Sequence, residues 1–349
     1  MRILIVRLRA IGDLIHAMPA ACAIKDQLRG AFVAWLAEDW AGELLRDHPA
    51  IDQCISVPRR WNRSPRQILR LKHELRSFRF DAVLDLQGIG SSVLASLLSG
   101  APRRFGFMGM VGHQLRNVIP SEKFQRSLSH GIARALHFEM IQPSSRHIVP
   151  RYLEILRPLG INQPAVRFGL VEAEDAACFA ERVLRETHLS SGTYAALYPS
   201  GRPWKTWPAG RFAEVAEYLR DAHSLPSLVI PSGDLEDRSA SEIAALAGRG
   251  VNSAPPMNLR QMAALARRSR LFIAGDTGPL HLAAAVGAPC IGLIGHALAD
   301  RFRPWGENNI VVKGAPIPLD RARQDGLGEA AMREIPVDQV CRAADRLLG

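Results

Sequence analysis

An apolar run, Leu271-Phe272-Ile273-Ala274, breaks into Gly275-Asp276-Thr277-Gly278-Pro279-Leu280-His281, and the helix-like Leu282-Ala283-Ala284-Ala285-Val286 follows at once. A second apolar run, Cys290-Ile291-Gly292-Leu293-Ile294, comes after Gly287 and Pro289. Buried strand, tight turn, helix start and buried strand in that order spell a βαβ unit, which narrows the choice of folds sharply. Pro279 suits the first helical position, where its missing N–H costs nothing. A helix start also offers unpaired backbone N–H groups and a partial positive charge, and Gly278 lets an anion approach the backbone. The loop therefore reads as a cradle for phosphate or pyrophosphate.

The same alternation fills the chain. Strands are expected near residues 3–7, 32–36, 54–57, 80–86 and 104–107, with helices near 13–28, 65–77 and 91–98 between them. A second series follows, with strands near 194–198, 228–231, 271–274, 290–294 and 310–313 and helices near 209–223, 237–248, 259–267 and 279–286. Two such series predict an α/β chain of two doubly wound parallel-sheet domains facing each other across a cleft. The expected divisions are 1–163, 164–333, and a C-terminal helix within 334–349 that packs back on the domains. The linker is expected at 159–168, where Pro158, Gly160 and Pro164 cluster. At 349 residues the chain is long for one core.

No apolar run reaches the ~18 residues that span a bilayer. The N-terminal Met1-Arg2-Ile3-Leu4-Ile5-Val6-Arg7 reads as a first buried strand rather than a secretory signal. Five scattered cysteines without C-x-x-C spacing argue for small buried hydrophobes in a reducing cytoplasm, and against a disulfide framework or zinc site.

Ligands of open α/β sheets bind beyond the carboxyl ends of the strands. The first strand ends in Arg7-Leu8-Arg9-Ala10-Ile11-Gly12-Asp13, which lacks the three glycines of a dinucleotide fingerprint. Asp13 is placed to cap the helix, to act as a general base at the mouth of a cleft, or both. The loop after 194–198 carries Ser200, Gly201 and a lysine, Lys205, between Trp204 and Trp207. That lysine is either an exposed side chain beside two core tryptophans or a point charge for a phosphate. The loop after 228–231 is acidic; Glu236 either favours the next helix start or accepts hydrogen bonds from a ribose. Asp276 orders its own loop or reaches a sugar, and His281 lies beside the anion cradle.

The net charge of +10 is lopsided. Residues 1–150 hold 21 Lys and Arg against 12 Asp and Glu, nearly all of the excess. The densest part is Arg59, Arg60, Arg63, Arg66, Arg70, Lys72, Arg76 and Arg79, with Glu74 alone opposing. Such a cluster repels itself unless an anionic partner meets it.

Taken together, the loops resemble the lipopolysaccharide heptosyltransferases of glycosyltransferase family 9. The resemblance rests on Gly12-Asp13 with Pro19, on Trp204-Lys205-Thr206-Trp207-Pro208, and on Asp276-Thr277-Gly278 followed by His281. Arg59-Arg60-Trp61-Asn62-Arg63 and Phe80-Asp81-Ala82-Val83-Leu84-Asp85-Leu86-Gln87-Gly88 look most like heptosyltransferase I, which acts on the Kdo sugar of lipid A. The resemblance implies the GT-B architecture, with ADP-heptose as donor, Kdo-lipid A as acceptor, and inversion at the anomeric carbon. It makes Asp13 the base and Lys205 a catalytic group that stabilises the leaving pyrophosphate. Donor contacts fall on Ser200, Gly201, Lys205, Glu236, Asp276, Thr277, Gly278, Leu280 and His281, and acceptor contacts on Arg59, Arg60 and Arg63. No metal or other cofactor is expected. The chain is expected to work as a cytoplasmic monomer that touches the inner membrane's cytoplasmic face transiently.

Two departures bear on the acceptor: Ser200-Gly201 stands where heptosyltransferase I tends to have two hydroxyl residues, and Pro279 replaces a leucine. A heptosyltransferase II or III type, with a heptose acceptor, is the first alternative. Another nucleotide-sugar enzyme of similar fold is the second. Nucleic-acid binding is disfavoured by the 6% aromatic content and the lack of a recognition motif.

Overall fold

The computed structural model describes residues 1–107, 136–232, 239–322 and 326–349. Within them, β1 (Arg2–Val6), β2 (Phe32–Glu38), β3 (Gln53–Val57), β4 (Ala82–Asp85), β5 (Arg103–Phe107) and β6 (Phe138–Ile141) form one sheet in the order β3-β2-β1-β4-β5-β6. The strands β7 (Ala195–Tyr198), β8 (Ser227–Val229), β9 (Val251–Ser253), β10 (Leu271–Gly275), β11 (Cys290–Ile294) and β12 (Asn309–Lys313) form another, ordered β12-β11-β10-β7-β8-β9. Every pairing described is parallel. Each order is the Rossmann order, in which the chain lays three strands outward, returns to the centre and continues the other way. The return falls between β1 and β4 in the first sheet and between β7 and β10 in the second. Loops at the carboxyl ends diverge at such a switch point, which is where open sheets take ligands.

The chain divides into two compact units, Met1–Val171 and Glu172–Gly349. Two Rossmann-like units of this kind are the GT-B fold. Residues after Gly160 are tied to the first unit: His48 Nε2 lies 2.7 Å from the Phe168 carbonyl, and Arg167 pairs with Asp26 at 2.6 Å.

The central strands are apolar throughout because both faces are covered. Ile3, Leu4, Ile5 and Val6 of β1 are fully buried, as are Leu271, Phe272, Ile273 and Ala274 of β10. Helix α1 (Ile11–Gln27) buries every residue from Leu14 to Ile24 and packs on a short helix, Ile148–Leu153. Pro19 costs α1 one hydrogen bond, and burial worth ~1.5–3 kcal/mol per large apolar side chain offsets it.

Helix α2 (Pro65–Ser77) is built for solvent. Ser64 caps it, Pro65 opens it, and only Leu71 and Leu75 are buried. In the second unit, α3 (Gly278–Ala285) follows β10. It starts one residue earlier than expected, so Pro279 occupies the second helical position, also without a hydrogen bond to lose. Helix α4 (Val337–Leu348) packs on Ala209–His223 and β12, with Asp345 accepting from Tyr218.

All five cysteines are free. Cys22, Cys290 and Cys341 are buried and Cys54 is half-buried, but Cys178 is exposed, which corrects the reading of every cysteine as a buried hydrophobe. Among the described residues no helix is long and apolar enough to cross a membrane.

Candidate active site

Each sheet gathers its chemistry at its switch point. In the first unit the loop after β1 carries Asp13, which is not the helix cap. Ala10 is the N-cap; Asp13 lies a turn into α1 and accepts weakly from the Ala10 N–H at 3.4 Å. The Asp13 side chain is 33% exposed, and its Oδ2 lies 2.5 Å from the Arg7 guanidinium. Arg7 is buried; it donates to the Leu86 carbonyl at 2.7 Å and lies over the Tyr152 ring. Burial alone would lower the Arg7 pKa, but Asp13, Tyr152 and Asp85 raise it, so the guanidinium is locked in its charged form.

The β4 loop braces the β1 loop. Gln87 Oε1 accepts from the Leu8 N–H at 2.5 Å and the Arg9 N–H at 3.3 Å. Asp85 is buried and holds its own turn, accepting from the Gln87 and Gly88 N–H groups and the Ser92 hydroxyl. Burial pushes its pKa up to about 6, against the opposing effect of those donors.

Arg59, Arg60 and Arg63 follow β3, at the same end of the sheet. All three are exposed, as are Arg66, Arg70, Arg76 and Arg79, and no ion pair with a described carboxylate engages them. Arg60 adopts a left-handed conformation that turns the chain into the Trp61–Arg63 turn. Trp61 is buried beneath it, so the arginines stand on a fixed base.

In the second unit the two switch-point loops meet at Gly275. A Cβ there would lie 2.2 Å from the Lys205 carbonyl oxygen, so only glycine permits the approach. Lys205 Nζ donates to the Asp276 carbonyl and to its Oδ2, both at 2.6 Å. The ammonium also lies 4.7 Å above the Trp204 ring and remains 22% exposed. Trp207 is core, donating to the Ile335 carbonyl. One tryptophan flanking Lys205 is therefore structural, and the other shapes the lysine's surroundings.

Asp276 is buried and fully committed. Its Oδ1 accepts from His281 Nε2 at 3.1 Å, and its Oδ2 from His296 Nε2 at 2.9 Å as well as from Lys205. Burial by itself would raise its pKa; Lys205 and the two histidines outweigh that and hold the carboxyl well below the usual range. His296 Nδ1 accepts from the Leu298 N–H at 3.2 Å, which leaves Nε2 to carry the proton it gives to Asp276. No motif marked His296. The available signal was its position two residues beyond β11, the strand next to β10.

Thr277 is the N-cap of α3, and Gly278 and Leu280 lie in its first turn, where N–H groups have no intrahelical partner. Gly201 approaches the same loop: a Cβ on it would come within 3.1 Å of the Thr277 methyl. Ser200 is buried, with its hydroxyl 3.4 Å from that of Ser239. Glu236 lies outside the described residues. The second unit thus brings Ser200, Gly201, Lys205, Asp276, Thr277, Gly278, Leu280 and His281 to one place, and adds His296. Among the described residues no cluster of His, Cys, Asp and Glu has the arrangement of a metal site; Asp276, His281 and His296 meet as hydrogen-bond partners.

Comparison with known proteins bears on the family and the fold. The family described as glycosyltransferase family 9 (heptosyltransferase) matches residues 68–325. Lipopolysaccharide heptosyltransferase 1 of Escherichia coli K12 is 25% identical over 324 residues, covering 90% of this chain and 93% of that protein. Lipopolysaccharide heptosyltransferase 3 of the same strain is 25% identical over 354 residues, covering 98% and 96%. A solved Escherichia coli heptosyltransferase holding ADP shares the fold with a TM-score of 0.72 at 21% identity, over 99% of this chain and 100% of that one.

Proposed function

We propose that this chain, which belongs to glycosyltransferase family 9 (heptosyltransferase) and is a glycosyltransferase, moves heptose from ADP-heptose to a Kdo hydroxyl of the lipopolysaccharide inner core. The observation that carries the reading is the Lys205–Asp276 loop: an ammonium on a fixed carboxylate, beside a helix start, at the switch point of a Rossmann sheet. That is a receptor for a diphosphate whose charge grows as the glycosidic bond breaks. The related heptosyltransferase solved with ADP supports a nucleoside diphosphate donor.

Asp13 takes the proton from the attacking hydroxyl. Its contacts with described residues, from Arg7 and Ala10, both fall on Oδ2, which reserves Oδ1 for the acceptor. The oxygen so freed bonds to the anomeric carbon from the side opposite the leaving ADP, and configuration inverts. Lys205 and the backbone N–H groups around Thr277, Gly278 and Leu280 meet the departing pyrophosphate, so no divalent metal is required. Asp276, His281 and His296 position Lys205 rather than touch the sugar. Glu236 is assigned to the ribose. Arg59, Arg60 and Arg63 take the acceptor's carboxylates and phosphates, and the wider basic surface brings the protein to anionic lipid at the cytoplasmic membrane face.

Mass spectrometry of the products from ADP-heptose with Kdo-lipid A, in the presence of EDTA, tests this. One added heptose is the expected result. Transfer only to an acceptor that already carries heptose assigns the chain to the heptosyltransferase II or III type instead. Tighter binding of UDP than of ADP sinks the donor assignment.

A further inference from the structure

Burying a large aromatic side chain stabilises a fold by several times the thermal energy, and tryptophan is enriched at surfaces that bind. Trp40 is 49% exposed. It stands two residues beyond the carboxyl end of β2, at the corner of a tight turn closed by the Ala41 N–H on the Glu38 carbonyl at 2.9 Å. It belongs to the same end of the first sheet as Asp13 and the arginine turn. The Glu38 N–H donates to the Leu8 carbonyl at 2.9 Å, and the Asp39 N–H donates to the Val57 carbonyl at 3.0 Å. The corner is thereby fastened on one side to the strand that leads to Asp13 and on the other to the strand that leads to Arg59.

The indole is held by one edge. Its N–H donates to Glu38 Oε2 at 2.8 Å. Glu38 is itself buried, and its Oε1 lies 3.5 Å from the Arg9 guanidinium, which is 43% exposed. One buried carboxylate thus sets the direction of an exposed ring and an exposed cation together. A ring merely discarded to solvent has no need of such a bracket. A ring whose polar edge is satisfied and whose faces stay available is suited to stacking.

We propose that Trp40 is a stacking platform for the acceptor's acidic sugar ring, that Arg9 meets the ring's carboxylate, and that Glu38 is the positioning residue that aims both. The inference rests on the acceptor assignment made above and extends it to residues that neither motif nor family resemblance marks. The chemistry selects this ligand class. A pyranose offers a face of C–H groups to an indole, and a carboxylate on the same ring suits a guanidinium a few ångströms away.

Two measurements keep the two readings separable. In the first, free Kdo is titrated into wild-type, Trp40→Phe and Trp40→Ala protein, each with ADP present, and binding is followed by calorimetry. Trp40→Ala is expected to weaken Kdo binding about tenfold, as loss of a stacked ring does, while Trp40→Phe stays within about threefold and ADP affinity is unchanged in both. Equal Kdo affinity in wild type and Trp40→Ala, or no wild-type binding at all, overturns the inference. In the second, steady-state transfer is measured with the competent acceptor: KM for that acceptor rises in Trp40→Ala and is rescued by Phe, while kcat at saturation and KM for the donor hold. A fall in kcat with no change in acceptor KM overturns the inference. Failure of wild type to transfer heptose to Kdo-lipid A, with Kdo binding still dependent on Trp40, refutes the proposed reaction and leaves the stacking platform standing. Glu38→Gln keeps an acceptor for the indole N–H and loses the charge facing Arg9, so it is expected to fall between the two tryptophan variants.

Discussion

Arg7 and Asp13 form an ion pair of 2.5 Å at the end of β1, and the carboxylate spends only its Oδ2 on it. The buried guanidinium is anchored to the Leu86 carbonyl, so it holds Asp13 in one orientation. Such a fixed orientation suits the base of the proposed in-line displacement, where the attacking oxygen has a single productive approach. Asp13→Asn keeps the shape and removes the basic oxygen. We expect kcat to fall by about 10²–10⁴, and stability to fall by about 1.5–3 kcal/mol, because the buried Arg7 guanidinium keeps a hydrogen-bond partner but loses its counter-charge. Steady-state kinetics beside thermal unfolding check this. Full turnover in the variant reduces Asp13 to a helix-start carboxylate.

The switch-point loops were legible in the sequence because central parallel strands are uninterrupted apolar runs and their ends are marked by glycine. β10 and β11 follow that rule, and Cys290–Ile294 has the expected bounds; β1 is as apolar, but the chain runs on through Arg7 to Ile11 before Gly12. Strands β6 and β9 do not: they are edge strands of four and three residues with half-exposed side chains, and no apolar run announces them. Helix Glu174–Glu186 is not among the expected elements, although its buried residues, Ala176, Phe179, Ala180, Val183 and Leu184, recur at helical spacing. Residue chemistry was harder to read than secondary structure. Lys205 was visible between its tryptophans, yet its carboxylate partner lies 71 positions away and is brought in by pairing of β7 with β10. His296 and Trp40 carry no motif; the roles proposed for them come from which strand ends are neighbours.

In the proposed reaction Lys205 supplies the positive charge that meets the diphosphate, and its removal leaves Asp276 with the histidines alone. Lys205→Met is expected to lower kcat by about 10²–10³, the loss typical of one preorganised stabilising group, and to weaken ADP binding. Single-turnover kinetics separate the two effects. Unchanged single-turnover rates place the leaving-group charge elsewhere.

His296 meets Asp276 rather than Lys205, so its proposed part in positioning Lys205 runs through that carboxylate. Its removal leaves a buried carboxylate short of one donor, at a cost of about 1–3 kcal/mol in stability. His296→Ala is therefore expected to lower the unfolding midpoint and kcat together, whereas His296→Gln, which retains an N–H donor, recovers part of both. Denaturant unfolding and kcat measured on the same two variants decide it; a kcat unaffected by either change removes His296 from the positioning of Lys205.

Gly275 tests how closely the two loops depend on each other. Gly275→Ala puts a methyl 2.2 Å from the Lys205 carbonyl oxygen, so the β7 loop has to retreat. We expect about 1–3 kcal/mol of destabilisation from the overpacking and a loss of kcat resembling that of Lys205→Met. Wild-type turnover in Gly275→Ala refutes the dependence of Lys205 on this approach.

Asp85 gives the fold a pH dependence of its own. Burial raises its pKa to about 6 in the folded chain, against ~3.9 for an aspartate in an unfolded one. Between those values the folded state holds a proton that the unfolded state has released, so stability falls as pH rises from about 4 to about 6 and stays lower above that. The change amounts to something on the order of 3 kcal/mol. Asp85→Asn retains an oxygen for the Gln87 and Gly88 N–H groups and has nothing to ionise. Its stability is expected to approach that of the wild type near pH 4 and to exceed it at pH 7. Unfolding midpoints of the two proteins across this range test the sign directly: the difference between them grows with pH if Asp85 titrates as described, and curves that run parallel rule it out.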